Sequence, residues 1–319
     1  MAKSTATAVS STAAPKKKRE SLWANTRKNV PYVVFALPAF LILFFIMYVP
    51  MGGIVMAFQD FKPMKGFFGS EFVGLDNFKF LFASKSTFFR MTRNTLIYYV
   101  IFTAVGTFLN VVLAIALDQF VFKKLGRIMQ TMMIVPIFIS FAAVQFIVYA
   151  FIASDNGLIN QLMGTNISYY SESRYWIAIL TIVKIWNSVG YGSVLYMSVL
   201  AGIDTALYEA AKIDGANKWQ QIVHITLPSL VPMITVMLLL SVGNIMRSDT
   251  GLFYQVTRNS GALYDTTQVI DSYVLDAVYK SSEYGFTAAA SLFQSVVGLL
   301  MMLLANGTVK KFSPENSLF

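Results

Sequence analysis

The sequence predicts an all-α membrane protein with six transmembrane helices, and two observations carry that prediction. Hydrophobic residues make up 56% of the 319 positions and charged residues only 13%, about half the charged share of a soluble globular chain. Such a chain has too little polar surface to face water on all sides. The charges are also clustered, and they leave uncharged stretches long enough to cross roughly 30 Å of hydrocarbon, which takes about 20 helical residues. Five stretches qualify outright: residues 30–59, 94–117, 128–154, 219–246 and 284–309. A sixth, residues 175–203, qualifies if one interior charge, Lys184, is allowed.

Residues 1–29 are rich in Ser, Thr and Ala and then basic, with no apolar period. They are expected to be a disordered cytoplasmic tail lying near anionic lipid, ahead of a membrane domain over residues 30–319. The first apolar stretch is too long for a signal peptide and no small-residue cleavage site follows it, so it reads as a span that stays. None of the six stretches alternates apolar and polar residues as a barrel strand does. Lys and Arg set the direction. With the N-terminus inside, the inner segments carry 14 basic residues against six acidic, and the outer segments ten against ten. The net charge of +9 is therefore a topology signal and not a nucleic-acid footprint. The outer connections, roughly 35, 20 and 37 residues long, are too short for a large independent domain. The aromatic residues between Phe61 and Phe89 read as interface anchors and loop packing.

The chain has no cysteine and a single histidine, His224, which excludes thiolate chemistry and His-rich metal sites. His224 reads as a satisfied interfacial side chain. No GxxxxGK[ST] phosphate loop and no dinucleotide fingerprint occur. Polar side chains inside spans are the pathway candidates, because burying them against lipid is costly: Gln145, Lys184, Asn187, Asn244 and Gln294, with Asn110 beside them. Tyr149, Trp186 and Tyr191 offer flat apolar faces on which sugar rings can stack. Each of these residues has a plainer reading as a helix–helix contact. Lys184 lies about 14 Å along its helix from Tyr175, at 1.5 Å per residue. The six spans contain no carboxylate. Its charge is therefore expected to be matched elsewhere: by a second subunit, by carbonyls, by cavity water or by an acidic ligand. Asn187, three residues on, shares its face. Pro38, Pro50 and Pro136 are expected to kink their spans. Gly52, Gly53, Gly190 and Gly192 are expected to allow close helix approach.

The inner segment over residues 203–227 carries the sharpest pattern. Asp204 and Thr205 are good N-caps, Leu207 to Ala211 are mostly helix formers, and Gly215 suits a left-handed helix end. Trp219, Ile222 and Val223 then follow at helical spacing, and Pro228 fits the first turn of the next span. Two short helices with a sharp bend are predicted. Glu209, Ala210, Ala211, Gly215, Ile225, Leu227 and Pro228 match in type and spacing the EAA motif of importer-type ABC transporter permeases, and Asp214 belongs to the same run. The segments Val269 to Val274 and Tyr284 to Ala290 resemble the sugar branch of this family (MetI-like, maltose-type), in its LplB-like subgroup for oligosaccharide or polysaccharide uptake. The resemblance covers residues 30–319.

That resemblance implies a type I ABC importer permease fold in a bacterial cell membrane, with both termini cytoplasmic. It implies that Glu209, Ala210, Ala211, Asp214, Gly215, Ile225, Leu227 and Pro228 couple the chain to an ATPase. It further implies a second permease subunit, as a heterodimer, two ATP-binding subunits and an extracytoplasmic solute-binding protein. The chain itself would be no enzyme and would hold no cofactor or metal; ATP and Mg would sit on the partner ATPase. An oligosaccharide would be translocated by alternating access. An importer for another polar solute is the main rival. A secondary transporter is a weaker one, since ion coupling calls for carboxylates within the spans. From the missing phosphate loop, the purified chain is expected to show no shift in melting temperature with ATP; a saturable shift would contradict this.

Overall fold

The computed structural model describes residues 22–79, 85–120 and 122–318. The described residues fall into two compact units, divided between Gly53 and Ile54. In the first, helix α1 (Leu22–Leu43) runs through Pro31 and Pro38. Its hydrogen bonding loosens to a π turn at Phe44–Tyr48 and tightens to 3₁₀ from Val49, around the N–H that Pro50 lacks. Helix begins at Leu22, within the segment expected to be tail. The rest of that tail, residues 1–21, lies outside the described residues.

The second unit opens with a two-residue antiparallel hairpin, β1 (Gln59–Asp60) on β2 (Glu71–Phe72). The Asn77 amide donates to the carbonyls of Ala57 and Gln59 at 3.1 and 2.9 Å. Phe58 packs on Phe72 and Phe78, so these aromatics do serve the loop.

The bundle follows: α2 (Lys85–Asp118), α3 (Lys123–Ile134), α4 (Phe141–Ile152) and α5 (Trp176–Leu200). Then come α6 (Thr205–Ile213), α7 (Lys218–Gln221), α8 (Leu227–Val242), α9 (Ile270–Ser281) and α10 (Tyr284–Phe312). Among the described residues, five helical runs are long and apolar enough to cross a membrane, and one bent pair meets the same test when its two helices are taken together. That pair is the third expected span. It is not straight: residues 124–138 and 141–152 meet at 103°. Pro136 interrupts the helix with a 3₁₀ turn, and extended Ser140 starts α4. The Pro136 carbonyl accepts from the Ile139 N–H at 3.1 Å and also from the Asn187 amide of α5 at 2.8 Å.

Helix α5 is the centre of the bundle, packed mainly on α2 and α3. A Cβ placed on Gly190 would lie 1.8 Å from the Met133 carbonyl oxygen, so only glycine lets these backbones meet. At Gly192 a Cβ would strike the Asn110 side chain, whereas Gly52 has open space around it.

The third outer segment, between α8 and α10, does not lie on the surface as a loop. It folds back into the bundle. Leu252, Phe253, Val256, Leu263 and Val269 are buried with Tyr98 of α2, Val144 and Val148 of α4, and Trp176 and Leu180 of α5. Its polar backbone is satisfied at the start of α2. The Asn94 amide donates to the carbonyls of Asp265 and Gln268, both at 3.1 Å, and the Ile270 N–H donates to Thr95 Oγ1. Arg90 reaches Gln268 Oε1 at 2.8 Å and Asp265 at 3.3 Å. Further out, Asp276 accepts from Lys280 and Asn259. Burial alone would raise its carboxyl pKa, but these hydrogen bonds outweigh it and hold the group below the usual carboxylate range.

Replacing Gly190 by alanine is expected to force α3 and α5 apart and to cost about 3 kcal/mol. The check is the yield of monodisperse protein and its melting temperature. A variant as stable as the parent would show that the contact is not needed.

Candidate functional site

Two regions gather the chemistry. The first is the knob at one end of the bundle. Asp204 Oδ1 caps α6 by accepting from the Ala206 N–H at 2.9 Å. The helix ends where Gly215 takes φ +79°, and the Ala216 N–H closes on the Ala211 carbonyl at 2.8 Å. Asn217 restarts the chain with a reciprocal cap: its side chain accepts from the Gln220 N–H, and its own N–H donates to Gln220 Oε1. The bend is therefore built as the sequence predicts, but the second helix is not separate. From Lys218 the helical run continues through a π turn at Ile222–Thr226 into α8, with Pro228 in the first turn of α8.

The knob is rigidly seated. Tyr208 and Thr226 share a hydroxyl hydrogen bond of 2.9 Å, the Gln221 amide donates to the Ala216 carbonyl, and Lys218 reaches Gln119 beyond α2. His224 Nδ1 lies 3.0 Å from the Gln220 carbonyl oxygen. Glu209, Ala210, Asp214, Gly215 and Pro228 are exposed; Ala211, Ile225 and Leu227 are half-buried. Around them Ile213 is 87% and Trp219 71% exposed. The knob therefore leaves two large apolar side chains open. Trp219, expected to share an apolar face with Ile222 and Val223, is more open than either.

The second region is an open cavity of about 370 Å³ bordered by α2, α5, the end of α8 and the segment after it. Lys184 of α5 reaches into it and meets Asp249 Oδ2 at 3.0 Å. This corrects the expectation that the chain offers Lys184 no carboxylate. The uncharged stretch ends at Met246, so Asp249 read as part of an outer loop; the loop folds inward and delivers it. Arg247, Asn244, Ser248, Ser241, Tyr99 and Thr95 share the lining, and Tyr99 and Ser241 are joined by a 3.0 Å hydrogen bond.

Of the intramembrane candidates, only Lys184 and Asn244 meet in this cavity. Asn187 does not join Lys184; it is buried and held by Pro136. Gln294 is also buried, its amide donating to the Met246 carbonyl at 2.7 Å. The Gln145 amide donates to Ala142 of its own helix. Tyr149 lies under the guanidinium of Arg258, 4.6 Å from the ring centre, and beside Tyr170. Tyr191 and Trp186 are open on the outside of α5. Arg247 and Asp249 escaped sequence reasoning; the available signal was a pair of opposite charges directly after a span.

A helical membrane bundle, a hydrogen-bonded knob and a charged cavity together define a class: multi-pass membrane transport proteins. The comparisons narrow the class. Residues 106–313 match the family described as the binding-protein-dependent transport system inner membrane component. The polygalacturonan/rhamnogalacturonan transport system permease protein YteP of Bacillus subtilis (strain 168) is 31% identical over 318 residues, with 98% of each chain covered. Protein LplB of the same organism is 33% identical over 283 residues, with 88% of each covered. Among solved structures, a chain of a bacterial ABC transporter involved in import of the acidic polysaccharide alginate superposes with a TM-score of 0.81 at 28% identity. That match covers 92% of this chain and all of the other. A chain of the bacterial alginate transporter in complex with an alginate pentasaccharide-bound periplasmic protein gives 0.80. The chain belongs to the binding-protein-dependent inner membrane component family and is the transmembrane permease subunit of an ABC importer.

The Lys184–Asp249 pair is expected to behave as a unit. Lys184→Met leaves a carboxylate unmatched inside the bundle and should cost about 2–3 kcal/mol. Adding Asp249→Asn should recover most of that. Equal melting temperatures for the single and double variants would show that the two groups are not coupled.

Proposed function

We propose that this permease pairs with a second permease subunit and carries an oligosaccharide through the cavity around Lys184, Asn244 and Arg247. An extracytoplasmic binding protein delivers the sugar at the end of the bundle opposite the knob. Two ATP-binding subunits, which hold the ATP and Mg, dock on the knob, and both chain termini lie on that cytoplasmic side. The observation that carries this reading is the cavity itself. Hydroxyl, amide and charged side chains line a space of about 370 Å³ within an apolar bundle, a size suited to a small ligand and a lining costly to keep unless a polar solute uses it. The relatives named for polygalacturonan, rhamnogalacturonan and alginate transport support a saccharide over an amino acid or phosphate.

Glu209, Ala210, Ala211, Asp214 and Gly215 form the ATPase-facing part of the knob in this reading. Ile225, Leu227 and Pro228 join it to α8, so that a push on α6 moves the helix bordering the cavity. The test is the complete transporter in liposomes, with ATP hydrolysis and uptake measured over a panel of neutral and uronic-acid oligosaccharides. Stimulation by at least one of them is expected; stimulation only by non-sugar solutes would overturn the assignment. Gly215→Val places a β-branched residue at φ +79°, a conformation it resists. Its uptake should fall at least tenfold, by order of magnitude, while membrane insertion persists. Normal ATPase co-purification with normal uptake would remove the knob from coupling.

A further inference from the structure

The cavity holds three charged side chains, and they do not cancel. Lys184 is neutralised by Asp249 at 3.0 Å. Arg247, in the same lining, is held by one hydrogen bond from its guanidinium, Nη2 to Ser295 Oγ of α10 at 3.0 Å. Among the described residues no carboxylate lies within 4.0 Å of it. Asp271 Oδ2 accepts from both the N–H and the Oγ of the lining residue Ser248 at 2.7 Å, and its carboxylate forms no ion pair with Arg247. Among the lining side chains one cation is therefore left without an ion-pair partner, on an exposed guanidinium that hydrogen-bonds to α10.

Arg247 is exposed, so its guanidinium is open to a ligand, and a guanidinium is the side chain whose planar fork fits a carboxylate in two parallel hydrogen bonds. Asn244 lies one turn before it, with the Arg247 N–H on the Asn244 carbonyl at 2.9 Å. Tyr99 and Ser248 add hydroxyls, and Phe102 and Phe253 add ring faces. Hydroxyls, an amide, aromatic faces and one open cation suit a sugar that bears a carboxylate.

Resting on the saccharide reading above, we infer that the translocated oligosaccharide is acidic and that Arg247 receives its carboxylate. Asp249 has the complementary role. It keeps Lys184 occupied, so that the cavity takes one carboxylate at a time and does not hold a polyanion at two points. A uronic-acid chain then moves past a single charged contact and is released after each engagement. The rival occupant of Arg247 is a carboxylate of the second permease subunit.

The complete transporter with its binding protein separates these outcomes. Trigalacturonate and its methyl ester differ in charge and little in size, and a constant binding protein contributes the same selectivity throughout. The measurement is the apparent KM for stimulated ATP hydrolysis, with uptake alongside, for the parent, Arg247→Gln and Arg247→Lys. The acid-over-ester preference should fall roughly tenfold in Arg247→Gln, the loss of one charge-assisted contact, with Arg247→Lys in between. An unchanged ratio in Arg247→Gln overturns the inference. So does an Arg247→Gln chain that no longer co-purifies with the second permease while Arg247→Lys does, because Arg247 is then an intersubunit ion-pair partner. If no saccharide, acidic, esterified or neutral, stimulates the parent complex, the sugar reading itself falls.

Discussion

The ion pair between Lys184 and Asp249 is the constraint on which the interior depends. Lys184 sits inside an apolar span, where an isolated ammonium is costly. Its partner comes from 65 residues further along the chain, so the pair forms only if the segment after α8 turns back into the bundle. Once it does, Leu252, Phe253 and Val256 reach the core beside Tyr98 and Trp176, and the start of α2 satisfies the segment's backbone through Asn94 and Thr95. Charge pairing and apolar burial thus specify the same inward fold, and the cavity is the space this segment leaves against α2 and α5.

The two ends of α8 are built for different tasks. At the knob, caps at Asp204 and Asn217 and the left-handed Gly215 fix the backbone, while Ile213 and Trp219 stay open. At the other end, helical hydrogen bonding stops after Val242 and gives way to turns that carry Asn244, Arg247 and Asp249 to the cavity. Irregular backbone at that depth is tolerated where it lines a polar space. One continuous helical run from Lys218 to Val242 joins the two.

Charge decided both what was legible and what was not. An uncharged run reliably marks lipid-facing helix, so five crossings and the bundle class followed from counting. The same rule stops a span at its first charge. It therefore placed Arg247 and Asp249 outside, although a charge matched or used within the bundle does not need water. The bend at Pro136 was visible as a proline, but its 103° angle was not, because it is set by the 3₁₀ turn and extended Ser140 together with the Asn187 contact from another helix. Gln294 and Asn187 looked like pathway residues for a similar reason: sequence shows a polar group in a span, not whether a neighbouring carbonyl already satisfies it.

The sequence by itself determined the crossings, the helix–glycine–helix knob and the family resemblance, since each depends on local residue type and spacing: apolar runs, caps, a glycine where φ must be positive. Tertiary structure alone decided which polar side chains face a common space. Lys184, Arg247 and Asp249 meet through contacts between distant segments, and the outcome turns on whether a polar group is better satisfied by another helix, by lipid-side carbonyls or by a cavity. That balance is set by packing in three dimensions, where Asn187 is used up by Pro136 and Arg247 is left open.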